Sequence, residues 1–215
     1  MPEANRELSM FPLGSVLLPG MPLPLRVFEP RYVALLSAVL GESEREFGVV
    51  LIERGSEVGG GDARFRVGTV ASIVTVEIGD GSIVLVARGT ERFEVVDWLE
   101  EDPVPRARVR VIAPLVLEPD DLDALAAAER VVRKTLARHS EFVELRWPAD
   151  VPLSENPAER LWQLAGIAPI GSLDQQALLR SATAAELIAR LVEETRAAGD
   201  SIAAGWIGDP DDGEP

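Results

Sequence analysis

The sequence contains no cysteine, and only one histidine, one lysine and one tyrosine. Without cysteine there is no disulfide framework, no thiolate zinc site and no cysteine nucleophile. His139 and Lys134 are the sole imidazole and amine side chains, which narrows the catalytic repertoire further. Positive charge is scarce: 21 Lys and Arg face 36 Asp and Glu, and the net charge of −15 repels phosphate backbones and anionic lipid. Long apolar runs are missing as well. Pro19, Pro22 and Pro24 break the most apolar N-terminal stretch well short of the roughly 20 residues of a membrane span, and no signal sequence is recognisable. The expectation is a cytoplasmic protein, off the membrane and disfavoured as a nucleic-acid binder.

The 215 residues are 47% hydrophobic and 27% charged, which suits one globular domain with an appendage or two small ones. From Leu8 to Ala113 the chain is rich in Val, Ile and Gly and reads as short strands between turn signals. Segments 8–18 and 21–28 are interrupted by Pro12, Pro19 and Pro22, which points to edge strands. Glu29-Pro30-Arg31-Tyr32 then opens a helix to about Leu40, with proline at its first position and Val33, Leu36 and Leu40 at helical spacing. Residues 46–53 read as a buried strand, and 55–63, with Gly59-Gly60-Gly61, as a mobile loop. Strands 67–78 and 82–88, joined by Gly79-Asp80-Gly81, predict a long hairpin. In 91–98 the apolar phase shifts between Phe93/Val95 and Val96/Trp98, the mark of a bulge. In 106–111, Ala107, Val109 and Val111 alternate with Arg106, Arg108 and Arg110, as in a half-buried strand.

Past Pro114 the composition turns to Ala, Leu and Glu, and the apolar period lengthens from two to 3.6. A first helix at 120–142 aligns Leu125, Val132, Leu136 and Val143. A second has Asn156 as its cap, Pro157 at its first position and Glu159 two residues later. Ser172 with Gln175, and Thr183 with Glu186, repeat the capping-box spacing. In the last helix Leu187, Leu191, Ala198 and Ile202 line one face, away from Arg190, Glu193 and Arg196. From Trp206 to Pro215 the chain is acidic and rich in Gly and Pro, which predicts disorder.

These elements offer little chemistry. A Ser-Lys dyad requires a buried lysine, and Lys134 falls away from the Val132/Leu136 stripe, toward solvent. His139 lies near the C-terminus of its helix, where a partly charged imidazole complements the dipole, and no motif pairs it with a serine and an acid. Asp209, Asp211 and Asp212 lack the alternating ligands of a calcium loop, and Gly59-Gly60-Gly61 is not followed by the residues of a phosphate cradle. No catalytic residue, metal or cofactor is expected. The arginine row at 106, 108 and 110 is the one feature that argues for RNA. With Glu100, Glu101 and Asp102 just before it, it reads as a self-neutralised edge strand. Trp206 and Ile207 fit either a docking motif or a segment folded back on the helices.

The stretch FPLGSVLLPGMPLPLRVFEPRY at 11–32 resembles the opening signature of the Lon N-terminal domain, the substrate-binding domain family of ATP-dependent Lon proteases, especially its stand-alone bacterial members. Phe11-Pro12-Leu13, the Pro19-Gly20 turn, Pro24-Leu25, Phe28-Glu29 and Arg31-Tyr32 recur in order. FGVVL at 47–51, VGTVASI at 67–73, RGTERFEV at 88–95 and Gln175-Gln176-Ala177-Leu178-Leu179 extend the similarity over roughly 8–200. Arg26 departs from the pattern, where histidine is expected in many relatives.

The resemblance implies an α+β fold: a PUA-like β-barrel over 8–115 and a helical bundle over 116–205, together one domain, with an acidic tail at 206–215. It does not imply proteolysis, because no Walker motif and no lysine-serine dyad is present. The function it implies is a non-enzymatic module that binds unfolded or exposed protein segments on an apolar surface at the junction of barrel and helices, as an adaptor or regulator in protein quality control, with a separate Lon protease as a further partner. A strongly acidic scaffold would favour basic segments. The alternative, from fold analogy, is an RNA- or nucleotide-binding PUA-like protein. The candidate interaction residues are Phe28, Arg31, Tyr32 and Arg92 at the barrel mouth, Trp162 in the helices and Trp206 in the tail. Phe28 and Tyr32 are expected to pack between the first helix and the barrel, and Glu29 to pair with Arg31 or Arg92.

Overall fold

Six strands and one helix form from the first 114 residues: β1 (Arg6–Leu13), β2 (Pro22–Val27), α1 (Pro30–Val39), β3 (Glu46–Arg54), β4 (Ala63–Gly79), β5 (Ser82–Trp98) and β6 (Arg106–Val111). Four helices follow: α2 (Pro119–His139), α3 (Pro157–Ile167), α4 (Ser172–Leu179) and α5 (Ala184–Ile207). The fold is mixed α+β. The structure, a computed structural model, describes residues 5–54, 63–79, 82–101 and 104–207, with side chains through Ser201. It comprises two units, Met1–Pro114 and Leu115–Pro215. The 55–62 loop, the Asp80-Gly81 turn, Asp102 and the 208–215 tail, with Asp209, Asp211 and Asp212, lie outside the described residues.

In the first unit the strand pairing returns to its start. β1 runs parallel to β3, Met10 against Gly48 through Leu13 against Leu51, and antiparallel to β6, Arg6 against Val109 through Ser9 against Arg106. β3 pairs with β4, β4 with β5, and β5 with β6, all antiparallel. β2 pairs with β5 and ends the strand order on that side. Each of the five strands in the ring sends side chains into one core, among them Met10, Val50, Val70, Phe93 and Val109. Gly68 is required there, because a Cβ at this position would meet the Val49 carbonyl and stand 2.6 Å from the Phe93 ring. The Pro19-Gly20 turn is formed as well. Gly20 has φ of 76°, and its N–H donates to the Gly89 carbonyl at 2.8 Å.

Several expectations for this half are corrected. β1 and β6 are not edges, since each has a neighbour on both sides. Proline is tolerated in β1 because Pro12 lies beyond Ser9, the last residue paired with β6, so its missing N–H breaks no bond on that side. β2, with Pro22 and Pro24, is the edge strand. The strands expected at 82–88 and 91–98 are one strand, β5, and the shifted apolar phase is a register shift against β6 between Val95 and Asp97.

In the second unit the apolar stripes become buried faces: Leu125, Val132 and Leu136 of α2, Leu161 and Leu164 of α3, Leu187 and Leu191 of α5. α2 packs chiefly on α5. The start of α3 follows its expected cap, with Asn156 Oδ1 accepting from the N–H groups of Ala158 and Glu159 at 3.0 and 3.2 Å. At α5, Glu186 N–H donates to Thr183 Oγ1 at 3.1 Å, and Glu186 Oε2 accepts from Ala182 N–H at 2.8 Å. α4 differs by one residue. Its cap is Gly171, whose N–H donates to Asp174 Oδ2 at 3.2 Å, and Ser172 is already helical. α2 stops at His139, leaving Val143 outside it and exposed, and α5 continues through Ile207, taking in the first two residues of the expected tail.

Candidate recognition surface

β2 turns into α1 through Phe28 and Glu29, with Glu29 in extended conformation ahead of Pro30. Alternation in β2 turns Leu23 and Val27 inward. Phe28 follows directly and points outward, 67% exposed although it is a large aromatic residue. Tyr32, the third residue of α1, is buried and stacked on Phe11 of β1, with ring centroids 4.1 Å apart. Of the pair expected to pack inside, Tyr32 therefore does so and Phe28 does not.

Phe28 borders a cavity of about 140 Å³ whose floor is made by Phe11, Leu13, Leu25, Val27 and Tyr32. Arg26 and Glu29 are the charged residues of its lining. Glu29 is held by Arg31, Nε to Oε2 at 3.2 Å, which resolves the expected pairing in favour of Arg31 over Arg92. The Arg31 guanidinium stands 4.4 Å from the Tyr32 ring centre and 3.6 Å from Glu101, which in turn lies 3.3 Å from Arg64. A second groove, of about 400 Å³, runs along α1 at Val33, Ser37 and Leu40 against Ile78 and Ile83, with Ile78 76% exposed. Both grooves are predominantly apolar and open to solvent, a setting suited to burying apolar side chains of a partner.

The other candidates lie elsewhere. Arg92 is buried in β5, where Nη2 donates to the Ala113 carbonyl at 3.2 Å and burial pulls its pKa below the usual arginine value. Trp162 is buried in α3, 7% exposed, so it offers almost no surface. Trp206 falls in the last turn of α5, and its side chain is outside the described set. Arg26 is the groove residue that sequence reasoning passed over. Its one signal was the departure from the family pattern.

The remaining chemistry is sparse. Lys134 is exposed on α2. His139 lies in the last turn of α2, but its Nε2 is covered and without a hydrogen-bond partner, and desolvation together with Arg138 lowers its pKa. Both influences act against the partial charge that the helix terminus would favour. Arg106, Arg108 and Arg110 are neutralised by Glu7, Asp97 and Glu94 on adjacent strands, at 2.9, 3.1 and 2.5 Å, rather than by Glu100 or Glu101 of the acidic run. Among the described residues no cluster of three His, Asp or Glu side chains could hold a metal ion, and no helix is long and apolar enough to cross a membrane.

The family model of the ATP-dependent protease La (LON) substrate-binding domain matches residues 7–196. The chain belongs to this family. Among relatives of the LON substrate-binding domain, Lon protease 2 of Herpetosiphon aurantiacus is 31% identical over 143 residues, 65% of this chain and 17% of that protein. Lon protease of Anaeromyxobacter dehalogenans is 34% identical over 142 residues, 64% of this chain and 16% of that protein. The chain thus matches under a fifth of the length of these Lon proteases. Two solved structures of the family are similar. A Lon N-terminal domain protein from Xanthomonas campestris aligns with a TM-score of 0.55 and 27% identity, over 83% of this chain and 92% of that one. The N-terminal domain of a Mycobacterium avium complex Lon protease aligns with a TM-score of 0.64 over 89% and 98%, at 16% identity, which shows a shared fold.

Proposed function

We propose that this chain is a non-enzymatic module that recognises exposed apolar segments of other proteins, serving in the cytoplasm as an adaptor or regulator of protein quality control, with a separate Lon protease as one partner. The observation that carries the reading is Phe28, held outward beside an apolar groove in a chain of the LON substrate-binding family. An exposed aromatic ring beside a preformed apolar floor gains contact area when an unfolded segment covers it. The second groove along α1 lengthens the apolar surface available to such a segment. We also infer that the closed ring of five strands is a PUA-like barrel.

The edge of β2 is poorly suited to strand addition, since Pro22 and Pro24 supply no N–H groups, so side-chain burial carries the recognition. The rival reading, an RNA- or nucleotide-binding protein, has little support: the arginine row already has three acidic partners, and the net charge is −15.

Fluorescence anisotropy with a labelled, permanently unfolded polypeptide tests the proposal. Phe28→Ser is expected to weaken binding by about tenfold without lowering the melting temperature. Unchanged affinity in this variant would refute the proposed surface, and binding of structured RNA at physiological salt would favour the rival.

A further inference from the structure

We propose that Arg26 makes the Phe28 groove selective for segments in which an aspartate or glutamate flanks the apolar residue that enters it. The inference rests on the recognition reading above and specifies its ligand. Arg26 lines the groove, is exposed on β2, and has no ion-pair or hydrogen-bond partner among the described residues. The neighbouring charges are matched: Glu29 with Arg31, and Glu101 between Arg31 and Arg64. Arg26 is therefore the guanidinium of the groove lining whose charge has no carboxylate partner among the described residues, and it lies two positions before the exposed Phe28.

Two features of the surroundings bear on this charge. Arg26 and Glu77 share a row across the sheet, each opposite Val84, which puts their backbones roughly 10 Å apart by strand spacing. Among the described residues no ion pair joins the two, so Glu77 offsets Arg26 only through intervening solvent and salt. The net charge of −15 would by itself favour a basic partner, but it is distributed over the chain and is screened in the same way. A guanidinium in contact with a carboxylate acts at about 3 Å, where two parallel hydrogen bonds add to the Coulomb attraction.

The geometry also selects the source of the carboxylate. Capture of a chain-terminal carboxylate commonly uses a nest of backbone N–H groups. The strand that carries Arg26 has proline at 22 and 24, which removes two of the N–H groups that a nest would draw on. A side-chain carboxylate, reaching the planar guanidinium from an adjacent position of the segment, fits better.

The test uses anisotropy with the full chain and labelled peptides built on one Leu-Phe pair in a Gly-Ser background. Three have blocked ends and flank the pair with Asp, Asn or Lys, and a fourth is the Asn peptide ending in a free carboxylate after Phe. The Asp peptide is expected to bind up to about fivefold more tightly than the Asn peptide. Arg26→Gln should abolish the difference, and Arg26→Glu should transfer the preference to the Lys peptide. Equal affinities for Asp and Asn, or a preference that survives in Arg26→Gln, would overturn the inference while leaving apolar recognition in place. A preference confined to the free-carboxylate peptide would overturn the choice of a side-chain ligand. Failure of all four to bind would remove the recognition reading, and this inference with it.

Discussion

The Tyr32 ring lies nearly parallel to that of Phe11, 14° between planes, and thereby joins α1 to β1 beneath the groove. Both rings are buried, so truncating either one should cost about 3–5 kcal/mol of folding stability. Stacking adds a pairwise contribution to that burial. A double-mutant cycle with Phe11→Ala and Tyr32→Ala is expected to give about 1 kcal/mol of coupling in denaturant unfolding. Strict additivity would mean that the two residues are merely buried side by side.

Gly68 sits where β4 passes over the Phe93 ring, and the volume of a methyl group is not available there. Gly68→Ala must displace the Val49 carbonyl or the ring, which predicts a loss of about 1–3 kcal/mol. The midpoint of urea unfolding should fall with little change in its slope. Gly79→Ala, where a Cβ would have no heavy atom nearer than 3.8 Å, is the matched control and should be close to neutral.

Much of this fold was legible because each local signal has a local cause. Asn156-Pro157 and Thr183 with Glu186 marked helix starts through bonds that span only two to four residues. Phase reversal between Val95 and Asp97 betrayed the bulge in the same way. What escaped depends on register between distant segments. Arg106 meets Glu7 across 99 positions, a pairing fixed only when β1 lies beside β6, so sequence proximity pointed to the nearer Glu100 and Glu101 instead. The position of β1 inside the ring escaped too, because Pro12 is harmless only if β6 ends before it. At the groove, Tyr32 was correctly read as packed. Phe28 was misread because hydrophobicity does not reveal which way a residue between strand and helix will turn.

Glu186 joins the capping of α5 to pH. Its carboxylate accepts the Ala182 N–H, the largest influence lowering its pKa, and pairs with Arg190 at 3.1 Å, so its pKa falls below the ordinary 4.5. The folded state binds this proton less readily than the unfolded state. The contribution to stability is therefore present above about pH 4.5 and is lost as pH falls through the lower folded value. Glu186→Gln should reduce stability at neutral pH, with the deficit shrinking on acidification. Urea midpoints measured from pH 7 to 3 would reveal this convergence, and a constant deficit would contradict it.

His139 has its effect at higher pH. Nε2 is covered without a partner and Arg138 is adjacent in sequence, so both desolvation and repulsion hold the imidazole below its ordinary 6.5. The unfolded chain then takes up the proton first. Stability should be unaffected well above pH 6.5 and should decline as pH drops through 6.5 toward the folded value. Because this is the sole histidine, its ring resonances can be followed without an assignment problem. Proton NMR of the folded chain is expected to give a midpoint below 6.5, and His139→Gln should flatten the stability profile just under that pH while leaving the Glu186 transition intact. A folded midpoint at or above 6.5 would mean instead that the C-terminal dipole of α2 outweighs burial, reversing the sign of the pH effect.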